Sequence, residues 1–175
     1  VILFLTHKNK ALMNADVMRW LSVIEMKNRD ASFGFVYLMA FFPEFRNLFY
    51  YRAGRIKHLI SFLCPGMSTL FINTPEIGQG LFLQHGFSTI INANSIGSNC
   101  WINQQVTIGF SNKHDRPTLK DNVTVYAGAK IIGNVTVGNN VIVGANAVVV
   151  RDVPDNCTVV GVPARIIKVR DLNNL

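Results

Sequence analysis

A mainly β protein, built of stacked three-sided coils behind a helical N-terminal segment, is what this sequence predicts. Three observations carry that reading. Over the last two thirds of the chain aliphatic residues recur six positions apart, and glycine and asparagine crowd the positions between them. Before about residue 66 the apolar spacing is instead three and four. Six is neither the helical period nor strand alternation. It is the repeat of a short strand and a tight turn, three of which close one coil, so that stacked coils bury their aliphatics in a column.

Residues 11 to about 63 read as helices. In "ALMNADVMRWLSVIEMKN", Leu12, Val17, Trp20, Leu21 and Ile24 share a face, with Asn14 or Asp16 as the cap at its start. In "PEFRNLFYYRAGRIKHLISFL", Phe45, Leu48, Phe49, Arg52, Ile56, Leu59 and Leu63 do the same, and Cys64–Pro65–Gly66 ends the helix. The column then runs through Ile77, Leu83, Ile90, Ile96, Ile102 and Ile108, and after a break through Leu119, Val125, Ile131, Val137, Val143 and Val149. A second set lies two positions ahead: Val123, Ala129, Val135, Val141 and Ala147. Turns between such short strands need positive φ, which accounts for "IGSNC" and "IGNVTVGNN". The expected organisation is a helical subdomain at 1–66, the coil stack at 67–160 with an extruded loop at 110–118, and a C-terminal segment at 161–175.

Composition bounds the function. The chain is 49% hydrophobic and 15% charged, which excludes wholesale disorder. Of its net charge of +7, nine basic and four acidic residues before Met67 contribute +5, alongside many aromatics. Basic and aromatic residues together suit solvated helix edges, an anionic ligand or a peripheral membrane contact. No nucleic-acid motif accompanies the charge, so no nucleic-acid partner is expected. Three scattered cysteines, Cys64, Cys100 and Cys157, make neither a disulfide framework nor a zinc spacing. The longest apolar run, "FGFVYLMAFF", is about half a membrane span. A cytoplasmic protein is expected, with the inner membrane surface as a possible place of contact.

The repeats resemble those of the hexapeptide-repeat acyltransferases, and that resemblance implies a left-handed parallel β-helix; the general rule for parallel crossovers points the other way. More narrowly, "IGQGLFLQHG", "INQQVTIG" and the run from Arg116 to Lys168, closing with "GVPAR" at Gly161 to Arg165, are similar to the serine acetyltransferase branch. "NRDAS" and "FYYRAGR" resemble two landmarks of that family's helical domain. The resemblance implies a catalytic base at His85, and an amino-acid contact at Asp30. It implies an acetyl-CoA groove past Thr107, Gly109, Ala127 and Ala145, between coils of neighbouring subunits. A homotrimer follows, with a dimer of trimers as a further layer. Arg165 and Lys168, beyond the last coil, are candidates for the nucleotide phosphates.

The departures from that family matter as much. Leu70 stands where the family has the aspartate that orients its histidine, which leaves a backbone carbonyl or Glu76 to hold His85. Gln84 stands where it has an acid linked to serine. The family's Arg-His pair falls on Asp115 and Arg116, with His114 displaced, in a shorter loop. His114 and Arg116, with Lys113, are expected to hold an anionic or sugar acceptor. The zinc enzymes of this fold use three histidines, whereas only His85 and His114 lie within these repeats, so no metal is expected.

Acetyl transfer from a thioester to a hydroxyl needs a base, donors for the oxyanion and a groove for the thioester. Imidazole, titrating at about 6.5 when unperturbed, suits the base. The expected function is thus an acetyl-CoA-dependent O-acetyltransferase. Leu70, Gln84 and the altered loop tilt the acceptor towards a sugar hydroxyl of polysaccharide synthesis; L-serine, in cysteine biosynthesis, is the alternative. A non-catalytic β-helix scaffold is the reading from another class.

Overall fold

The computed structural model describes residues 1–113 and 115–170, with the backbone alone at 57–59. Four helices lead: α1 (Ile2–Thr6), α2 (Lys10–Val23), α3 (Ala31–Phe41) and α4 (Pro43–Ala53), followed by a 3-10 turn at Gly54–Leu59. Helix α2 buries Met13, Asp16, Val17, Trp20 and Leu21, the three-and-four spacing of one face. Asp30 caps α3, its Oδ1 accepting from the N–H groups of Ser32 and Phe33 at 2.9 and 3.0 Å. Pro43 opens α4, where a missing N–H costs nothing.

Two sequence expectations fail here. Neither Asn14 nor Asp16 caps α2, which starts at Lys10; Asp16 is buried and takes an ion pair instead. The last helix stops at Gly54, whose φ of +62° turns the chain out of the helix. Cys64–Pro65–Gly66 is not its end. Beyond that stop the helical face dissolves, leaving Ile56 and Leu63 exposed.

The coils stack as three parallel faces. One holds Leu70–Ile72, Thr89–Ile91, Thr107–Gly109, Lys130–Ile132 and Val148–Val149; a second holds Glu76–Ile77, Ser95–Ile96, Thr118–Leu119 and Thr136–Val137. The third holds Phe82–Leu83, Trp101–Ile102, Thr124–Val125, Ile142–Val143 and Cys157–Val160, and is closed by the antiparallel strand Arg165–Val169. Every predicted column residue is buried except Ile90, which is 45% exposed. The chain needs eight residues from Leu83 to Ile91 where it needs six from Ile102 to Ile108, so Ile91, fully buried, takes the column place. The widened corner contains His85. Between coils, asparagines at positive φ form a ladder, Asn122 to Asn140 at 3.1 Å and Asn140 to Asn156 at 2.8 Å.

The helices seat against the first coil through Trp20. Its ring lies against Phe42, Phe45 and Phe82, and its N–H donates to the Leu81 carbonyl at 2.8 Å. The three cysteines are free thiols, and burial pushes Cys100 up to about 12. No helix among the described residues is long and apolar enough to cross a membrane.

Candidate active site

His85 stands exposed at a coil corner with φ of +61°. In the next coils one left-handed residue, Gln105, Gly128 or Asn146, turns this corner three positions after the column aliphatic. Here Ser88, at φ +52°, is in register with Gln105, and His85, two after Leu83, is an additional left-handed residue. The extra residues of this corner therefore carry the imidazole out of the regular stack. Gly86 follows at φ +28°, where a Cβ would stand 2.9 Å from Glu44 Cγ and 3.1 Å from Leu70 Cδ2. Only glycine lets α4 approach the corner so closely.

A cleft of about 450 Å³ opens between this corner and the helices. Its walls are mainly aromatic and aliphatic, including Trp20, Phe41, Phe42, Phe82 and Trp101. Within it, Gln84 Oε1 accepts from Trp101 Nε1 at 3.1 Å, which leaves the carboxamide NH2 as its remaining donor. Glu76, named from the sequence as a possible support for His85, lies elsewhere. It lines a different cleft, of about 910 Å³, with His7, Lys8 and Arg55.

The corner with His85 continues upward as one edge of the stack. Gln105 N donates to Phe87 O, Gly128 N to Gln104 O, Asn146 N to Ala127 O, and Val148 N to Gly161 O, all at 2.9 to 3.1 Å. Ala127 and Ala145 therefore lie on the same edge as His85, and "GVPAR" caps it. Four coil steps at about 4.8 Å put roughly 19 Å between the two ends. Small side chains along that edge leave backbone accessible to an extended ligand. Thr107 starts the strand beside this edge, whereas Gly109 ends it, opening the extruded loop with free space where a Cβ would stand. Arg165 and Lys168 are exposed on the closing strand, paired with Val160 and Thr158.

The other predicted site residues are not all gathered. Asp30 caps α3 at the end opposite Phe41, which lines the histidine cleft; eleven residues of helix separate them by about 16 Å. His114 lies outside the described residues. Arg116 is half-buried, its carbonyl accepting from Asn94 Nδ2 at 2.8 Å. Asp115 organises the loop: it accepts from Ser111 N at 2.9 Å, from Asn112 N at 2.8 Å and from the Ser111 hydroxyl. Those donors hold its carboxyl below the usual range, the hydroxyl contributing most. No cluster of three or more metal-ligating side chains occurs among the described residues.

Sequence reasoning missed three neighbours of this edge: Glu44, Trp101 and Lys130. Lys130 Nζ donates to the carbonyls of Gln105 and Gly128 at 2.6 and 2.9 Å, bracing the corner. Glu44 reads in sequence as an ordinary first-turn helix acid. Trp101 falls at a polar-side position of the repeat, where an aromatic residue facing a cleft is the available signal.

The pattern described as "Bacterial transferase hexapeptide (six repeats)" matches residues 116–151. A serine acetyltransferase of Synechococcus elongatus is 43% identical over 125 residues, covering 69% of this chain and 51% of that protein. Serine acetyltransferase of Brucella abortus, solved in complex with coenzyme A, superposes with a TM-score of 0.71 at 26% identity over 97% of this chain and 72% of its own. This is the serine acetyltransferase fold. The Neisseria gonorrhoeae serine acetyltransferase, solved in complex with serine, gives a TM-score of 0.67 at 28% identity over 93% and 70%. The architecture is thus the left-handed parallel β-helix that the resemblance implied. The chain spans about half the length of the curated relatives it matches.

Proposed function

We propose that this chain transfers an acetyl group from acetyl-CoA to a hydroxyl, with His85 as the general base. The observation that carries the reading is the edge itself: an exposed histidine at one end, small residues along it, and "GVPAR" at the other. The imidazole takes the acceptor's proton as its oxygen attacks the thioester carbonyl. Collapse of the tetrahedral adduct breaks the C–S bond, and the imidazolium returns the proton to the departing thiolate. Thr107, Ala127 and Ala145 are the residues for the donor path along this edge, Gly109 lies at the other end of the Thr107 strand, and Arg165 and Lys168 are the candidates for its phosphates.

L-Serine is the acceptor we favour. The relatives compared above are named serine acetyltransferases, one of them solved with serine, and nothing in the comparisons supports the sugar that the sequence leaned towards. Gln84 presents a neutral amide rather than a carboxylate, which predicts weaker hold on the ammonium of serine. Asp30, His114 and Arg116 remain candidates for acceptor contacts supplied across a trimer, in which a neighbouring copy completes the groove.

The test is thiol release from acetyl-CoA with serine, simple sugars and nucleotide sugars as acceptors. Saturable turnover with serine supports the assignment, and turnover with sugars alone replaces it. No turnover and no coenzyme A binding makes the chain a scaffold.

A further inference from the structure

The corner that carries His85 lacks the acid that the serine acetyltransferase resemblance places at position 70. Leu70 there is buried and apolar, 4% exposed, and cannot orient an imidazole. A carboxylate nevertheless reaches the same corner from another element. Glu44, in the first turn of α4, is 9% exposed, and among the described residues its carboxylate has no hydrogen-bond or ion-pair partner. Its oxygens are not fully buried: the little exposure the residue keeps includes the carboxylate, which is free to take a partner in the cleft that His85 also lines.

The available partner is His85. Leu70 Cδ2 and Glu44 Cγ lie against the same point, 3.1 and 2.9 Å from a Cβ built on Gly86. One bond beyond that Cγ lies the carboxyl group; one peptide unit from Gly86, about 3.8 Å between Cα atoms, lies His85. Among the residues lining the 450 Å³ cleft, Glu44 and His85 are the two that ionise; the other polar side chain beside them, Gln84, is held by Trp101.

We propose that Glu44 is the positioning residue for His85, accepting a hydrogen bond from the imidazole N–H that faces away from the acceptor, directly or through one water. The carboxylate fixes the tautomer that leaves the other nitrogen free to take a proton, and it stabilises the imidazolium formed as the hydroxyl attacks. The acid has moved from the coil to the helix that covers it, while the point of approach, Gly86, is shared. This proposal rests on the reading of His85 as the base.

The experiment compares Glu44→Gln, Glu44→Asp and His85→Ala in the full chain with acetyl-CoA and serine. Glu44→Gln keeps shape and loses the charge; kcat falls at least about tenfold with KM for acetyl-CoA unchanged, and Glu44→Asp recovers part of the loss. A 15N spectrum of histidine-labelled wild-type protein adds a readout independent of any variant: His85 shows one fixed tautomer above its titration, not the mixture of a free imidazole. Wild-type kcat in Glu44→Gln, or a mixed tautomer in the wild type, overturns the proposal, and if His85→Ala is still inactive the base reading stands. Full activity in His85→Ala overturns both.

Discussion

Arg52 and Asp16 form a buried ion pair, Nε to Oδ2 at 2.9 Å, with both side chains at least 96% buried. The pair joins more than two helices. Arg52 also donates to the carbonyls of Ile77 and Gly78, and Asp16 Oδ1 accepts from Gly80 N at 2.7 Å. One guanidinium and one carboxylate thereby tie α2 and α4 to the first coil, just ahead of the histidine corner. Burial pushes the Asp16 carboxyl above its usual range, with Arg52 pulling against it.

Removing one partner strands the other. Arg52→Met is expected to destabilise the fold by about 3–5 kcal/mol in urea denaturation at pH 8. Without Arg52 the Asp16 carboxyl rises further, so between 3.8 and that raised value the native state holds a proton that the unfolded chain does not. Stability of the variant therefore falls as pH rises through that window, and its deficit against wild type is smaller at pH 5 than at pH 8. An equal deficit at both pH values contradicts the account.

The stack tolerates no side chain where one coil crosses the next. A Cβ on Gly97 would stand 2.6 Å from Lys120 C and 2.7 Å from Asp121 N, backbone atoms of the neighbouring coil. Gly97→Ala is expected to cost about 1–3 kcal/mol by the same denaturation measurement. Unchanged stability shows that the coils separate there more freely than the geometry implies.

The edge above His85 is testable without touching the base. Ala145 is exposed on it, so Ala145→Trp leaves the thermal midpoint within a degree or two, on the order of a neutral surface change. If acetyl-CoA lies along this edge, KM for the donor rises about tenfold or more while KM for serine changes little. An unaltered donor KM moves the groove to another edge.

The extruded loop has its own acid signature. Ser111 and Asn112 donate to the exposed Asp115 carboxyl and depress its titration. The loop contacts are fully present above the ordinary value of 3.8 and are lost only as pH falls through the lower folded value. A carbon-13 titration of the side chain is expected to give a midpoint below 3.8, and Ser111→Ala moves it upward. A midpoint at or above 3.8 in the wild type refutes this.

Much of the fold was legible in residue order. The six-residue period placed nearly every column aliphatic, because each coil repeats the same three local turns and buries the same position of each. His85 was marked by another route, the resemblance of "IGQGLFLQHG" to the serine acetyltransferases, with Gly86 beside it as the sign of a coil corner. Ile90 was misplaced because two extra residues at that corner break the period, and a bulge has no composition of its own. The end of α4 was misplaced because helical spacing continues past Gly54, and the left-handed turn taken there competes with it.

The sequence by itself determined the coil and its column, since these follow from short-range periodicity, and it marked the histidine through a resemblance. Only the tertiary structure decided what surrounds that histidine. Glu44, forty-one positions ahead of His85, reaches Gly86 because Trp20 and the Arg52–Asp16 pair seat the helices on the first coil. Contacts between a helix face and a coil corner follow no period, so no spacing in the chain announces them.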